Sequence, residues 1–236
     1  MLKRNAAWVL CLMSGLSAGE SLAQVPPPQW GFQAEQLEYR VGKNEDVLAW
    51  EGGAFFGNDA RKFVWQSEAE YGLDEKAFET LENQLRLQLP VSEFFDAYGG
   101  VRLSTPEGEA NRLHGVVGVT GLTPQWLEVD AGLFLSDKPF VRLEAEYEAL
   151  ITNRLILTPV LELDLPLVDD RHVGAAAWAP TVEGGLRLSY DLVDRAISPY
   201  LGIHYERMFG ETGQIARREG GGRDALYFVV GTRLTF

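Results

Sequence analysis

The sequence is poor in residues that cross-link a chain or bind soft metals: its 236 residues include one Cys, three His and three Met. The single cysteine, Cys11, excludes an intrachain disulfide. Basic residues are also scarce, since 34 Asp and Glu stand against 21 Lys and Arg and give a formal charge of −13. So acidic a chain is poorly suited to the phosphates of nucleic acid, which we therefore exclude as a partner.

Long apolar runs are lacking too, because no window reaches the roughly 18 residues that a transmembrane helix needs. The longest run, 6–18, follows two basic residues and precedes a small-residue cleavage site that ends at Ala23. This arrangement is typical of a secretory signal peptide, so we predict that residues 1–23 are removed near Ala23. An exported chain without disulfides must draw its stability from a large core or from a membrane.

After a Pro-rich linker at 24–33, the chain consists of short segments that alternate apolar and polar residues and are separated by Gly, Pro, Asn and Asp. Such alternation predicts β-strands with two unlike faces. No helical period competes with it in the exported chain, and 76–89 is assigned to a strand as well. The predicted strands are 34–41, 46–56, 61–71, 76–89, 94–104, 111–122, 125–135, 140–150, 154–165, 180–192, 197–209 and 224–236.

The hairpin at 140–165 shows the alternation most clearly, because residues two apart in a strand share a face. One predicted face is ionic and the other apolar: Arg142, Glu144 and Glu146 against Leu143, Ala145 and Tyr147. Charged faces elsewhere should join this one in a continuous surface formed by Glu51, Glu68, Glu70, Glu82, Arg86, Glu128, Asp130, Glu162, Glu183, Arg187, Glu206 and Arg233.

Strands of this kind suit a soluble sandwich, a lipocalin-like barrel or a transmembrane barrel. Alternate connections are tight turns, whereas the other set contains the long segments 166–179 and 210–223, a difference typical of transmembrane barrels. The final strand alternates up to the terminal Phe236, which resembles an outer-membrane assembly signal. Aromatic residues gather near the tight turns, as an interfacial belt would: Phe55, Phe56, Phe63, Trp65, Phe94, Phe95, Trp126, Tyr190, Tyr200 and Phe236.

The sequence therefore predicts an all-β, transmembrane antiparallel β-barrel of about twelve strands over 34–236. A sheet can lie in hydrocarbon only if it closes and pairs every backbone amide. Its apolar face would contact lipid and its ionic face would line the lumen.

Linked motifs run from about Glu35 to Phe236. They include Leu48-Ala49-Trp50-Glu51-Gly52, Ser67-Glu68-Ala69-Glu70, Gly118-Val119-Thr120-Gly121-Leu122-Thr123-Pro124, Arg142-Leu143-Glu144-Ala145-Glu146-Tyr147, Ser198-Pro199-Tyr200-Leu201-Gly202 and Glu206-Arg207-Met208-Phe209-Gly210. Together they resemble the copper-resistance protein B family. The resemblance implies an outer-membrane protein of Gram-negative bacteria, with roles in copper binding, tolerance and homeostasis, and a periplasmic multicopper oxidase as a possible partner.

One departure from the family concerns the segment between signal peptide and barrel. Members often carry a Met- and His-rich stretch there, which supplies soft ligands for copper. Here that segment is Gln24 to Gln33 and contains neither Met nor His. The resemblance thus implies copper binding, whereas this segment contains no soft ligands for copper.

The imidazole and thioether groups of the exported chain are His114, His172, His204 and Met208. His204, Glu206 and Met208 are spaced i, i+2 and i+4, so they share one strand face, and such a mixed ligand set suits copper. We predict a copper site of His204 and Met208, helped by Glu206 or by His114 from another strand. The alternative is that scattered histidines are ordinary background and the chain has no site of its own.

Two other function classes stay open. One is a cation-permeable pore or a structural outer-membrane barrel without an intrinsic copper site, because an acidic lumen would favour cations. The other is a lipid-modifying outer-membrane enzyme, which needs an activated nucleophile beside a base. Serines such as Ser67, Ser104, Ser189 and Ser198 lack a Gly-x-Ser-x-Gly elbow, so we predict that the chain is not an enzyme.

Overall fold

The computed structural model describes residues 27–43, 45–74, 76–106, 110–193, 195–218 and 220–236. The predicted signal peptide and the first residues of the predicted linker, 24–26, lie outside this part. The strands are β1 (Gln29–Val41), β2 (Asp46–Asn58), β3 (Arg61–Gly72), β4 (Ala77–Pro90), β5 (Phe95–Pro106), β6 (Arg112–Leu122), β7 (Leu127–Leu135), β8 (Phe140–Tyr147), β9 (Ala149–Leu150), β10 (Leu155–Pro166), β11 (Thr181–Tyr190), β12 (Ile197–Met208) and β13 (Asp224–Thr235).

These strands close into a barrel. Each pairs antiparallel with its neighbours in the chain, β8 and β9 both pair with β10 as one strand interrupted at Glu148, and β13 pairs with β1. The seam is completed by two backbone hydrogen bonds between Phe32 and Phe236, with N···O distances of 3.0 and 2.9 Å. Within the described residues, the prediction of a twelve-stranded antiparallel barrel is confirmed. Closure pairs the sheet edges that hydrocarbon could not solvate.

Two local predictions need correction. The residues Gln29–Gln33, assigned to the linker from sequence, form the start of β1 and pair with β2. Proline has no N–H to give a sheet ladder, so the strand begins just after Pro28. A short helix, α1 (Thr212–Arg218), lies in the loop between β12 and β13, where no helix was predicted. Seven residues are too few to show a helical period in the sequence.

The two faces of the sheet divide as predicted. In β8, Leu143 and Tyr147 are 45% and 39% exposed on the outer surface. Arg142 points inward and pairs with Glu68 of β3, so the ionic face lines the lumen. Most of the predicted aromatic belt is also exposed, for example Phe56 and Trp126.

Tyr200 is the exception in that belt, because it is buried and its hydroxyl donates a 3.0 Å hydrogen bond to Glu38 Oε1 inside the barrel. Its position in β12 is in phase with the inward His204, since residues four apart in a strand share a face. The prediction that Tyr200 belongs to the belt is wrong.

One end of the barrel, here the short-turn end, carries five compact connections. In each of them a short polar side chain accepts a hydrogen bond from a backbone N–H two to four residues later, which stabilises the turn. The accepting residues are Asn58, Ser92, Thr123, Thr152 and Asp191. Both chain termini of the barrel lie at this end.

The opposite end, here the long-loop end, carries the connections 167–180 and 209–223. Buried Thr212 joins them, since its Oγ1 accepts from Ala176 N at 3.0 Å and donates to Ala179 O at 2.9 Å. Asp170 in the first loop pairs with Arg112 at the start of β6. Burial alone raises the pKa of Asp170, but the hydrogen bond and the charge of Arg112 outweigh it and hold that pKa below its ordinary value of 3.8.

No helix in the described ranges is both long and apolar enough to cross a bilayer.

Candidate functional site: the acidic barrel interior

The register of the strands brings inward carboxylates directly opposite one another. Asp130 faces Glu144, Glu144 faces Glu162, Glu162 faces Glu183, and Glu183 faces Glu206, across five neighbouring strands. We name these five residues the first carboxylate row. Like charges directly opposite in a sheet are destabilising, so this row costs stability wherever no positive group lies beside it.

A second carboxylate row lies on another part of the wall. Glu51 of β2 faces Glu68 of β3, which in turn faces Glu82 of β4. These carboxylates line the interior, as predicted, but they align into two rows because of strand register, which the sequence does not reveal.

Arginines inside the barrel balance part of this charge. Buried Glu38 accepts from Arg187 Nε at 2.5 Å and from Arg40 Nε at 2.8 Å, and Arg40 also pairs with Glu70. Sequence reasoning included Arg187 and Glu70 but missed Glu38 and Arg40. Both sit in β1, where apolar and charged residues alternate over Leu37–Val41, so the alternation itself could have identified them.

Further arginines connect strands that are not neighbours. Arg86 Nη1 lies 2.8 Å from Asp130 Oδ2, and Arg233 Nη2 lies 2.8 Å from Glu146 Oε1. Arg102 pairs with Glu82 on the neighbouring strand β4, and it also lies over the ring of Phe134 on β7, 4.6 Å from the ring centroid. The interior is thus a network of charged pairs with an excess of carboxylates.

Two cavities lie within this interior. The larger, about 710 Å³, opens at the short-turn end and is lined by residues from both carboxylate rows, including Glu51, Glu68, Asp130 and Glu144. The smaller, about 40 Å³, lies deeper and is lined in part by His204. Its other lining residues include Glu68, Glu70, Glu162 and Glu183.

His204 lies on β12 toward the long-loop end and is only 6% exposed. Its Nε2 is 3.3 Å from Glu183 Oε2, and its ring centroid is 6.2 Å from that of Tyr227. Glu206 and Met208 are half-buried on the same inward face, as the spacing predicted. Glu183, the residue opposite Glu206, is the partner that sequence reasoning did not assign to this group.

His114 occupies a different part of the barrel. It lies on β6, which is five strand positions from β12 in one direction and seven in the other, so the two histidines are on nearly opposite walls. The ring of His114 meets those of Phe134 and Phe140 edge-on, with centroids 6.4 and 5.6 Å apart. His172 is exposed in the loop 167–180. The structure therefore brings together His204, Glu206 and Met208, but not His114.

In the observed side-chain positions, the set of metal ligands around His204 is incomplete. Among the residues that the structure describes, no three His, Cys, Asp or Glu side chains converge closely enough to hold a metal ion. The His204–Glu183 pair supplies two donor groups, and the Met208 thioether on the same face is a third of the soft type that copper accepts. A copper site here would require these side chains to move toward one another.

Comparison with known proteins identifies relatives over nearly the whole barrel. The family model described as copper resistance protein B precursor (CopB) matches residues 29–236. Copper resistance protein B of Escherichia coli is 32% identical over 204 residues, which cover 86% of this chain and 68% of the relative. A copper resistance protein B homolog of Pseudomonas syringae pv. tomato is 32% identical over 209 residues, covering 87% and 69%.

Among solved structures, the NanC porin is similar in fold, with a TM-score of 0.56 and 13% sequence identity. The similarity covers 87% of this chain and 99% of the porin chain. At this identity the comparison bears on the barrel fold alone. The matches to the family model and to both relatives show that this chain belongs to the copper resistance protein B family.

Proposed function

We propose that this chain is an outer-membrane barrel that contributes to copper tolerance and homeostasis, and that it binds copper inside the barrel with low affinity. The observation that carries the proposal is the first carboxylate row, which ends at Glu206 beside His204. Directly opposed carboxylates cost stability unless a cation relieves their repulsion. In a copper resistance family, an imidazole and a thioether beside such a row suit a copper ion.

The proposed ligands are His204 and Met208, with Glu206 and Glu183 as the neighbouring carboxylates. Because no three ligating groups converge, we expect side-chain movement on binding and an affinity below that of relatives with Met- and His-rich segments. His114, on the far wall, would take no part in the same site. The role is non-catalytic.

Copper titration of the detergent-folded chain tests the ligands. His204→Ala combined with Met208→Leu should weaken binding by roughly tenfold or more, since it removes the imidazole and the thioether. His172→Ala, which changes an exposed loop histidine, is the matched control and should bind as the unchanged chain does. Unchanged affinity in the double variant would refute these ligands.

A second candidate function is cation passage without an intrinsic copper site, favoured by the excess of carboxylates around the 710 Å³ cavity. If the unchanged chain shows no saturable copper binding, this alternative or a structural role in copper tolerance would remain. A partner such as a periplasmic multicopper oxidase would then carry the metal chemistry, and copurification of the two proteins would test that link.

The proposed location also has a direct test. After signal-peptide cleavage near Ala23, the chain should fractionate with the outer membrane and migrate differently on gels with and without heating, as stable barrels do. Recovery as a soluble periplasmic protein would contradict both the location and the function proposed here.

A further inference from the structure

Arg142 occupies an unusual place in the barrel interior. Its Nε and Nη2 donate to both carboxylate oxygens of Asp164 at 2.8 and 2.7 Å, and Nε lies 2.9 Å from Glu162 Oε1. Nη1 reaches Glu68 Oε2 at 3.0 Å and Glu82 Oε2 at 3.6 Å. A single guanidinium group therefore forms ion pairs with four carboxylates.

The partners of Arg142 come from two walls of the barrel. Asp164 and Glu162 lie on β10, next to β8. Glu68 on β3 and Glu82 on β4 lie five and four strand positions away from β8. In a ring of twelve strands the opposite wall is six positions away, so the ion pairs of Arg142 with Glu68 and Glu82 span most of the lumen. Arg142 joins the first carboxylate row, through Glu162, to the second.

The crossing lies between the two cavities. Arg142, Glu68 and Glu82 all line the 710 Å³ cavity that opens at the short-turn end. Glu68 and Glu162 line the 40 Å³ cavity on the side of His204. The ion pairs of Arg142 therefore form the partition between the larger cavity and the deeper one.

This partition has the properties of a fixed barrier. The side chain of Arg142 is 13% exposed, and its bidentate bond to Asp164 is of the strong, geometrically specific kind. An ion pair so enclosed is screened by salt much less than a surface pair. Its positive charge also lies in the path that a cation drawn in by the carboxylates would have to take.

We propose that Arg142 closes the lumen, so that the barrel is a chamber open at its short-turn end and not a through-pore. Arg142 acts as a tethered counter-ion between the two carboxylate rows and stops small cations that enter from that end. Removing its charge leaves four carboxylates without this partner and opens a cation-selective path. The proposal does not rest on copper binding at His204, which copper would then have to reach from the long-loop end, so the conductance test and the copper titration can fail separately.

Conductance of the full exported chain in planar lipid bilayers with potassium chloride tests this proposal. The unchanged chain should conduct little, and Arg142→Gln should raise conductance roughly tenfold with selectivity for K⁺ over Cl⁻, because the carboxylates then concentrate cations unopposed. Arg86→Gln is the matched control. It removes the same charge from the same cavity but leaves the partition in place, so its conductance should stay at the original level.

Loss of the arginine could prevent folding, so a second variant keeps the proposal testable. Glu68→Ala removes the shorter of the two links to the far wall and leaves Arg142 its partners on β10. It should raise conductance by a smaller factor, with folding checked by the heat-dependent shift on gels. Equal conductance of the unchanged chain and the folded variants, or a large current of either ion selectivity in the unchanged chain, would overturn the proposal.

Discussion

The surroundings of Arg142 and of His204 are both acidic, but their charges are balanced differently. Arg142 has four carboxylate partners, two of them from across the lumen. His204 has one carboxylate at 3.3 Å, and that carboxylate faces another, Glu206, across the β11–β12 pair. The difference separates charges that hold the barrel together from charges suited to an exchangeable cation.

The largest expected effect on stability follows from removing Arg142. Arg142→Gln should lower the free energy of unfolding by about 3 to 5 kcal/mol, since breaking an enclosed ion pair leaves its partners uncompensated. His204→Ala should cost only about 1 kcal/mol, the value of an ordinary hydrogen bond. Urea unfolding in detergent would measure both. Equal losses would remove the distinction between the two regions.

A somewhat smaller loss of stability is expected for substitutions that compare the inner and outer faces of β8. Ala145→Arg places a charge on the lipid side of β8 and should cost about 2 to 4 kcal/mol near the bilayer midplane. Glu144→Gln, one residue away and inward, should cost less and could relieve repulsion within the first carboxylate row. Folding yields into lipid vesicles would rank the two variants, and the reverse order would mean a register shifted by one residue.

The smallest expected effect concerns the loop that holds Asp170. Because its folded pKa is below the ordinary 3.8, the pair with Arg112 stabilises the loop above that pH and is lost as pH falls through the folded pKa. Amide hydrogen exchange in 167–180 should therefore accelerate at low pH after correction for the intrinsic rate. In Asp170→Asn the same exchange should show little pH dependence, and an equal response in both chains would exclude this pair as the cause.

Strand positions and faces could be predicted because alternation is local. The spacing of Arg142, Glu144 and Glu146 was enough to place them on the lumen side. Tyr200 was misplaced because an aromatic residue near a strand end suits either a lipid belt or a buried hydrogen bond. His204 lies four residues away in the same strand and therefore shares a face with Tyr200, so placing His204 inside the barrel would have placed Tyr200 there as well.

The candidate site could be predicted only in part, for a related reason. Spacing within β12 was enough to group His204 with Glu206 and Met208. The pairing of Glu183 with His204, the separation of His114 and the reach of Arg142 to Glu68 all depend on which strands face each other around a closed barrel. That arrangement follows from register and closure over the whole chain and has no local signal.

Copper titration of three folded chains tests the division between the two regions most directly: the unchanged chain, Arg142→Gln, and His204→Ala with Met208→Leu. The account predicts saturable binding in the first two and its loss or severe weakening in the third. Loss of binding in Arg142→Gln, or unchanged binding in the double variant, would contradict it.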